Sequence, residues 1–283
     1  MNINKEILKT IKYFSFFTYY PTLDEIHTFL QIKINKGELK KELDRLKYTP
    51  PQYSIRRKMS KSKLENWRFK TYIKTLTAFP QIKLVGLSGS IAMMNADLDD
   101  DIDLFIIASK NRLFTARFLA TVLAMIMGLK RKIEQYKAPK KICLNLFFDE
   151  SNLTVPLSKK TEFVGHEILQ MKPIIVKGDI YERFLKANRW VFKLFPNAIH
   201  TILNIKNQRS KTNPKFKSLS FKLGFDICTL TFDLFEKIIK RFQTLLINRH
   251  RTTEIITPTQ LWFHPVDFEK KIKKRGHTTA SVG

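Results

Sequence analysis

Residues 84–107 read LVGLSGSIAMMNADLDDDIDLFII: a Gly-Ser step at Gly89 and Ser90, ten intervening residues, then the alternation Asp101-Ile102-Asp103-Leu104. On a strand, successive side chains leave opposite faces, so Asp101 and Asp103 share one face while Ile102 and Leu104 point into a core. Two carboxylates at that separation can hold a hard divalent cation. Mg²⁺ in particular takes few protein oxygens and completes its shell with substrate phosphates. The Ser-Gly-Ser turn ahead of a short helix offers backbone N–H groups and a hydroxyl that can cradle a triphosphate. One element then holds the phosphates and the other the metal that bridges them, the combination that in-line phosphoryl or nucleotidyl transfer requires. A merely acidic turn has no need of the alternating apolar residues.

The flanking sequence supplies elements to position this pair. IKLVGLSGS reads as strand into turn, followed by a short helix around 91–94, the strand DIDLFIIA, an apolar helix over 111–129, a basic loop and the strand KICLNLFFD. That β-α-β-α-β order predicts an α/β core with a mixed sheet. The apolar stretch 113–129 is seventeen residues, carries Arg117 and is followed by Lys130-Arg131-Lys132. It is short for a membrane span, so we read it as a helix packed on the sheet and expect no membrane partner. Arg117, in so apolar a helix, calls for a partner such as a core carboxylate.

Ahead of the core, residues 5–48 read as three short helices. Thr22…Glu25 and Asn35…Glu38 have the spacing of capping boxes. Ile26, Phe29 and Leu30 form one apolar face and Leu39, Leu43 and Leu46 another. With YTPPQYSI as a turn and short strand, residues 1–55 look like a winged-helix module, a fold that binds DNA in some proteins and other proteins in others. Residues 56–80 form a basic linker helix in which Arg56, Arg57, Lys58 and Lys61 accompany Trp67. It reads either as a solvated face or as a phosphate track with a stacking aromatic. After the core, residues 158–270 read as a helical region and 271–283 as a frayed tail.

The Gly-Ser step, the ten-residue spacing and the Asp-hydrophobic-Asp-hydrophobic strand together resemble the signature of the DNA polymerase β-like nucleotidyltransferase superfamily. Further segments, NRLFTARFLA, KICLNLFFDE, HEILQMKP, RFLKANRWV and WFHPVDF, resemble blocks of a group of uncharacterised predicted bacterial nucleotidyltransferases. The resemblance implies a nucleotidyltransferase core over 81–157, an α/β (α+β) fold, and transfer of a nucleoside monophosphate from an NTP to a hydroxyl. It implies Mg²⁺ or Mn²⁺ held by Asp101 and Asp103, and phosphates held by Gly89 and Ser90. It does not select ATP over another nucleotide, or RNA over protein or a small molecule as acceptor.

The superfamily usually carries a third acid on a neighbouring strand. In ICLNLFFDE, strict alternation puts Cys143, Asn145 and Phe147 on one face, so the polar residue at the strand centre is Asn145, an amide. Asp149 shares that face if the strand continues regularly, which makes Asn145 and Asp149 the two candidates for the third position. Arg112, at the start of the next helix, is a candidate for the triphosphate. His166, Glu167 and His264 are isolated, each histidine reading as a packing residue, and Ser90 has no neighbouring base to make it a nucleophile.

A formal charge of +26, from 51 basic against 25 acidic residues, fits either an AT-rich genome, which inflates lysine, or a polyanionic partner such as nucleic acid. Cys143 and Cys228 lie far apart without metal spacing and read as buried thiols in a reducing, cytoplasmic compartment. The N-terminus lacks the apolar core and cleavage site of a signal peptide. The missing strand acid and the +26 charge also fit a protein of this fold that binds nucleotide or nucleic acid without turnover, and the resemblance further implies an antitoxin-like partner, since minimal members of the superfamily pair with helical toxins.

Overall fold

The computed structural model describes residues 2–50, 55–131, 139–199, 225–248 and 255–263. The runs predicted as strands form β1 (Ile82–Leu87), β2 (Ile102–Ala108) and β3 (Ile142–Asp149). They are joined by β4 (Lys172–Val176), β5 (Ile255–Ile256) and β6 (Gln260–Trp262) in one six-stranded sheet of order β4-β1-β2-β3-β6-β5. Only β2 and β3 run parallel; every other neighbouring pair is antiparallel, so the sheet is mixed. The region expected to be helical beyond residue 158 therefore also contributes three strands. β4 escapes a pattern reading because it is five residues long, contains Pro173 and buries only Ile175 fully, features that an edge strand tolerates.

Helices cover both faces. On one face lie α5 (Trp67–Ala78), the short α6 (Gly89–Ala92), α7 (Leu113–Ile126) and α11 (Phe225–Asn248). The stretch weighed as a membrane segment is α7, whose buried Ala116, Ala120 and Ala124 form a small-residue stripe at four-residue intervals. The stripe lets the helix approach closely enough for the Tyr72 hydroxyl of α5 to donate to the Ala120 carbonyl at 3.0 Å. No helix among the described residues is long and apolar enough to cross a membrane. At the start of α7, Glu236 of α11 accepts from the Phe114 and Thr115 amides, each at 2.8 Å, satisfying two N–H groups that a helix end leaves unpaired. Arg117 meets a neutral partner rather than the expected carboxylate: it donates to the Gln243 side-chain oxygen and lies 4.7 Å from the centroid of the Phe263 ring. The ring face supplies the attraction that a carboxylate would otherwise give.

The other face is covered by α1 (Ile3–Ser15), α2 (Leu23–Phe29), α8 (Glu162–Gln170), α9 (Ile180–Ala187) and α10 (Trp190–Leu194). With α3 (Lys36–Arg45), the first two helices also enclose a small core of their own from Ile7, Ile26, Leu30, Leu39 and Leu43. Thr22 and Glu25 make the full capping box; Asn35 caps α3 by accepting from the Glu38 amide at 2.8 Å. The wing strand expected near 51–54 and the tail from 271 lie outside the described residues, as does His264.

The N-terminal helices are not a separate bead. The buried His166 ring of α8 is stacked between Tyr13 of α1 (centroids 3.9 Å apart) and Phe29 of α2 (4.2 Å), with Phe195 edge-on at 4.8 Å. Burial, with the charge of Lys9 second, holds His166 well below the usual histidine value of 6.5. The unfolded chain takes up a proton near pH 6.5 while the native ring stays neutral until lower pH, so acid favours unfolding through this residue. The stability advantage of the wild type over a His166→Phe variant is therefore predicted to shrink below pH 6.5, by up to about 1.4 kcal/mol per pH unit. Denaturant unfolding of both proteins across pH 5–8 measures it.

Candidate active site

β1 ends at Leu87, and the chain turns sharply through Gly89, whose φ is +60°. A side chain here would be both strained and obstructed, because a Cβ would lie 2.6 Å from the Asp103 Oδ2. The glycine thus lets the backbone lie directly on the carboxylate pair. After α6 the chain returns to β2 through an acidic loop that α4 (Ile55–Glu65) holds from outside. The buried Lys63 amine donates to the carbonyls of Leu98 and Asp100, and the Ser60 hydroxyl accepts from the Ala96 amide at 2.9 Å. Asp100 closes the loop by accepting from the Ser90 hydroxyl (3.0 Å) and the Asp97 amide (2.9 Å). The segment read as one linker helix is two, α4 and α5, separated at Asn66, which caps the second.

Asp101 and Asp103 sit at the start of β2, and Asp103 pairs in register with Cys143 of β3. Donor atoms of Asp101, Asp103 and Cys143 all lie within 4.8 Å of one another. Arg131 donates to Asp101 Oδ2 at 2.6 Å. Asn145 donates its amide to Asp103 Oδ1, and its oxygen accepts from the Cys143 thiol at 2.6 Å. Desolvation first, then the charges of Asp101 and Glu167, hold the Asp103 carboxyl well above the usual carboxylate range. Burial, ahead of the charges of Asp103 and Asp101, pushes the Cys143 thiol up as well. The donor chemistry fits a divalent cation: two carboxylates whose mutual repulsion it would relieve, with oxygens suited to Mg²⁺ or Mn²⁺ and one softer sulfur beside them.

The third position is decided by a bulge. Leu104 pairs with Leu144 but Phe105 with Leu146, so Asn145 is the extra residue and the faces of β3 swap beyond it. Leu146 joins the face of Phe105 and Phe148, while Phe147 joins that of Ile106 and Ala108. Asp149, opposite Ala108, thus lies on the other face from Cys143 and at the far end of the strand. Its buried carboxylate accepts from the amide and hydroxyl of Ser151 (2.9 and 2.5 Å) rather than lining the site. Arg112 is also remote: it follows the other end of β2 and is paired with Asp233 of α11 at 2.6 Å.

The carboxylate pair opens on a cavity of about 460 Å³ lined by Ser88, Gly89, Ser90, Asp99, Asp100, Asp101, Asp103, Arg131 and Asn145 at one end. Its other walls are Tyr13, Phe14, Phe17 and Tyr19 from the N-terminal segment, Met93, and Phe163, Glu167 and Gln170 of α8. Glu167 is the acid that sequence reading passed over. It arrives from a helix rather than a neighbouring strand, and no local spacing ties it to the aspartates. Arg131 was hidden in the same way, inside a basic loop. Of the basic linker residues only Arg56 reaches the cavity, where it pairs with Asp97 at 3.2 Å. Arg57, Lys58 and Lys61 are exposed, and Trp67 is 67% exposed with Arg68 over its ring.

No protein-family model matches the chain, and no curated protein does.

Gly89→Ala is predicted to destabilise the protein by about 1–3 kcal/mol, the usual penalty for a left-handed non-glycine residue, and to displace Asp103. Chemical denaturation checks the first effect and divalent-cation affinity the second.

Proposed function

We propose that the protein is a Mg²⁺- or Mn²⁺-dependent nucleotidyltransferase that moves a nucleoside monophosphate from an NTP to a hydroxyl and releases pyrophosphate. The observation that carries this reading is the Gly89-Ser90 turn resting on the Asp101/Asp103 pair at one end of a nucleotide-sized cavity. The order of strands and motif supports a nucleotidyltransferase-type core within the mixed sheet.

In this reading the acceptor oxygen bonds to the α-phosphorus, the bond from that phosphorus to the β-bridging oxygen breaks, and the hydroxyl proton passes to a base. Asp101 and Asp103 would hold the cation, which when bound supplies charge neutralisation on the phosphates and acidifies the acceptor hydroxyl. The backbone amides of Gly89 and Ser90 bind the β- and γ-phosphates, while the Ser90 hydroxyl, donated to Asp100, holds the turn. Asn145 fixes the rotamer of Asp103 through its amide, a positioning role. Glu167, a carboxylate on the same cavity, takes the proton that Asn145 cannot. Arg131 neutralises Asp101 and adds a guanidinium suited to phosphate.

The surplus of basic residues, including exposed Arg57, Lys58 and Lys61, supports a polyanionic acceptor such as RNA. A second reading, nucleotide binding without turnover, is favoured by the amide at the strand position where the superfamily carries an acid, and by the Arg131–Asp101 pair.

Incubation with each α-³²P-labelled NTP, Mg²⁺ or Mn²⁺, and cellular RNA or protein decides between them. Transfer of label is expected, reduced about a thousandfold in Asp101→Ala or Asp103→Ala, equivalent to about 4 kcal/mol of barrier. Nucleotide binding with no transfer under any condition leaves only the second reading.

A further inference from the structure

The cavity has an end that phosphate chemistry does not use. Phe17 and Phe163 line it with nearly parallel rings, their centroids 6.4 Å apart and their planes 29° apart. Met93, Tyr19 and Gln170 of α8 line the same cavity, the Gln170 side-chain nitrogen lying 3.5 Å from His166 Nδ1. Flat apolar faces next to one neutral amide suit a planar heteroaromatic ring: the faces stack on it without regard to sequence, and the amide pairs with its edge. The wall is continuous with the carboxylate end, and one bond ties the two together. Asn95, in the loop that carries the aspartates, donates its amide to the Phe17 carbonyl at 3.0 Å. Because these rings and the Gly89-Ser90 turn line one cavity, a single molecule can seat a ring on Phe17 and Phe163 and phosphates on Gly89 and Ser90.

The geometry points to a nucleobase site on Phe17 and Phe163, formed by the N-terminal segment and α8, for the nucleotide whose phosphates meet the aspartates. The inference rests on the nucleotidyltransferase reading of the carboxylate end. It assigns the N-terminal helices a part in substrate binding in place of a separate DNA-binding role. Tyr13 and Phe14 line the same cavity and anchor the N-terminal segment to α8, Tyr13 stacked on His166 and Phe14 edge-on to it.

The test is calorimetric titration of the full-length protein in Mn²⁺ with each of the four ribonucleoside triphosphates and with inorganic tripolyphosphate. At least one nucleotide is expected to bind ten times more tightly than tripolyphosphate. Phe17→Leu and Phe163→Leu, which keep apolar bulk but remove the stacking face, are each expected to weaken that nucleotide about tenfold. Tripolyphosphate affinity should be unchanged in both variants, which also shows that they are folded. Equal affinity for tripolyphosphate and every nucleotide would overturn the base site while leaving the phosphate end standing, and would leave the aromatic wall to an acceptor. Nucleotide preference that both variants retain would overturn it too. Failure of tripolyphosphate and nucleotides alike to bind would remove the carboxylate-end reading and the base site with it.

Discussion

Asp101 and Asp103 are held on one strand face with their charges converging on a partly desolvated cavity, and much of the surrounding structure serves that confinement. The strand register fixes both side chains, because Ile102 and Leu104 are buried on the opposite face. Gly89 lets the preceding turn close to within contact of Asp103. Lys63 and Ser60 reach in from α4 to hold the loop between them. Burial first, and the repulsion of the neighbouring Asp101 charge after it, hold the Asp103 carboxyl above the usual carboxylate range. Arg131 and Asn145 offset part of the repulsion. A bound cation would offset the rest, which is why the cluster reads as a binding site and not as a structural knot.

The second organising contact is the stack of Tyr13, His166 and Phe29. It joins three elements distant in sequence, and each carries or braces a cavity wall. Phe17 lies in the turn just after the helix that carries Tyr13, and Glu167 and Gln170 follow His166 on α8. A neutral, buried imidazole packs as an aromatic here, so the N-terminal helices pack into the same body as the sheet and its cavity. Their small private core, around Ile26, Leu30 and Leu39, explains why they look independent in the sequence.

Local chemistry was legible in the sequence where it is encoded locally. The period-two alternation around Asp101 and Asp103, the Gly-Ser step and the Thr22–Glu25 capping box all have short-range causes, and the fold has each of them. Departures came from interactions that spacing cannot carry. One extra residue at Asn145 reverses the faces of β3 and removes Asp149 from consideration. Arg112 is close to Asp103 in sequence, but it follows the far end of β2 (Ile102–Ala108), and the stretch of strand from Asp103 to Ala108 spans about 17 Å at roughly 3.3 Å per residue. Glu167, Arg131 and Gln170 reach the cavity only through tertiary packing. β4 is too short and too exposed for a pattern to distinguish it from a loop.

Binding of Mn²⁺, followed by the loss of its free-ion paramagnetic resonance signal, tests the central claim most directly. Wild-type protein is predicted to bind the ion saturably, and Asp103→Asn, which keeps the shape but removes one negative charge, is predicted to lose that binding while remaining folded. If the wild type binds no divalent cation, or Asp103→Asn binds it equally well, the aspartate pair is not a metal site and the account built on it fails.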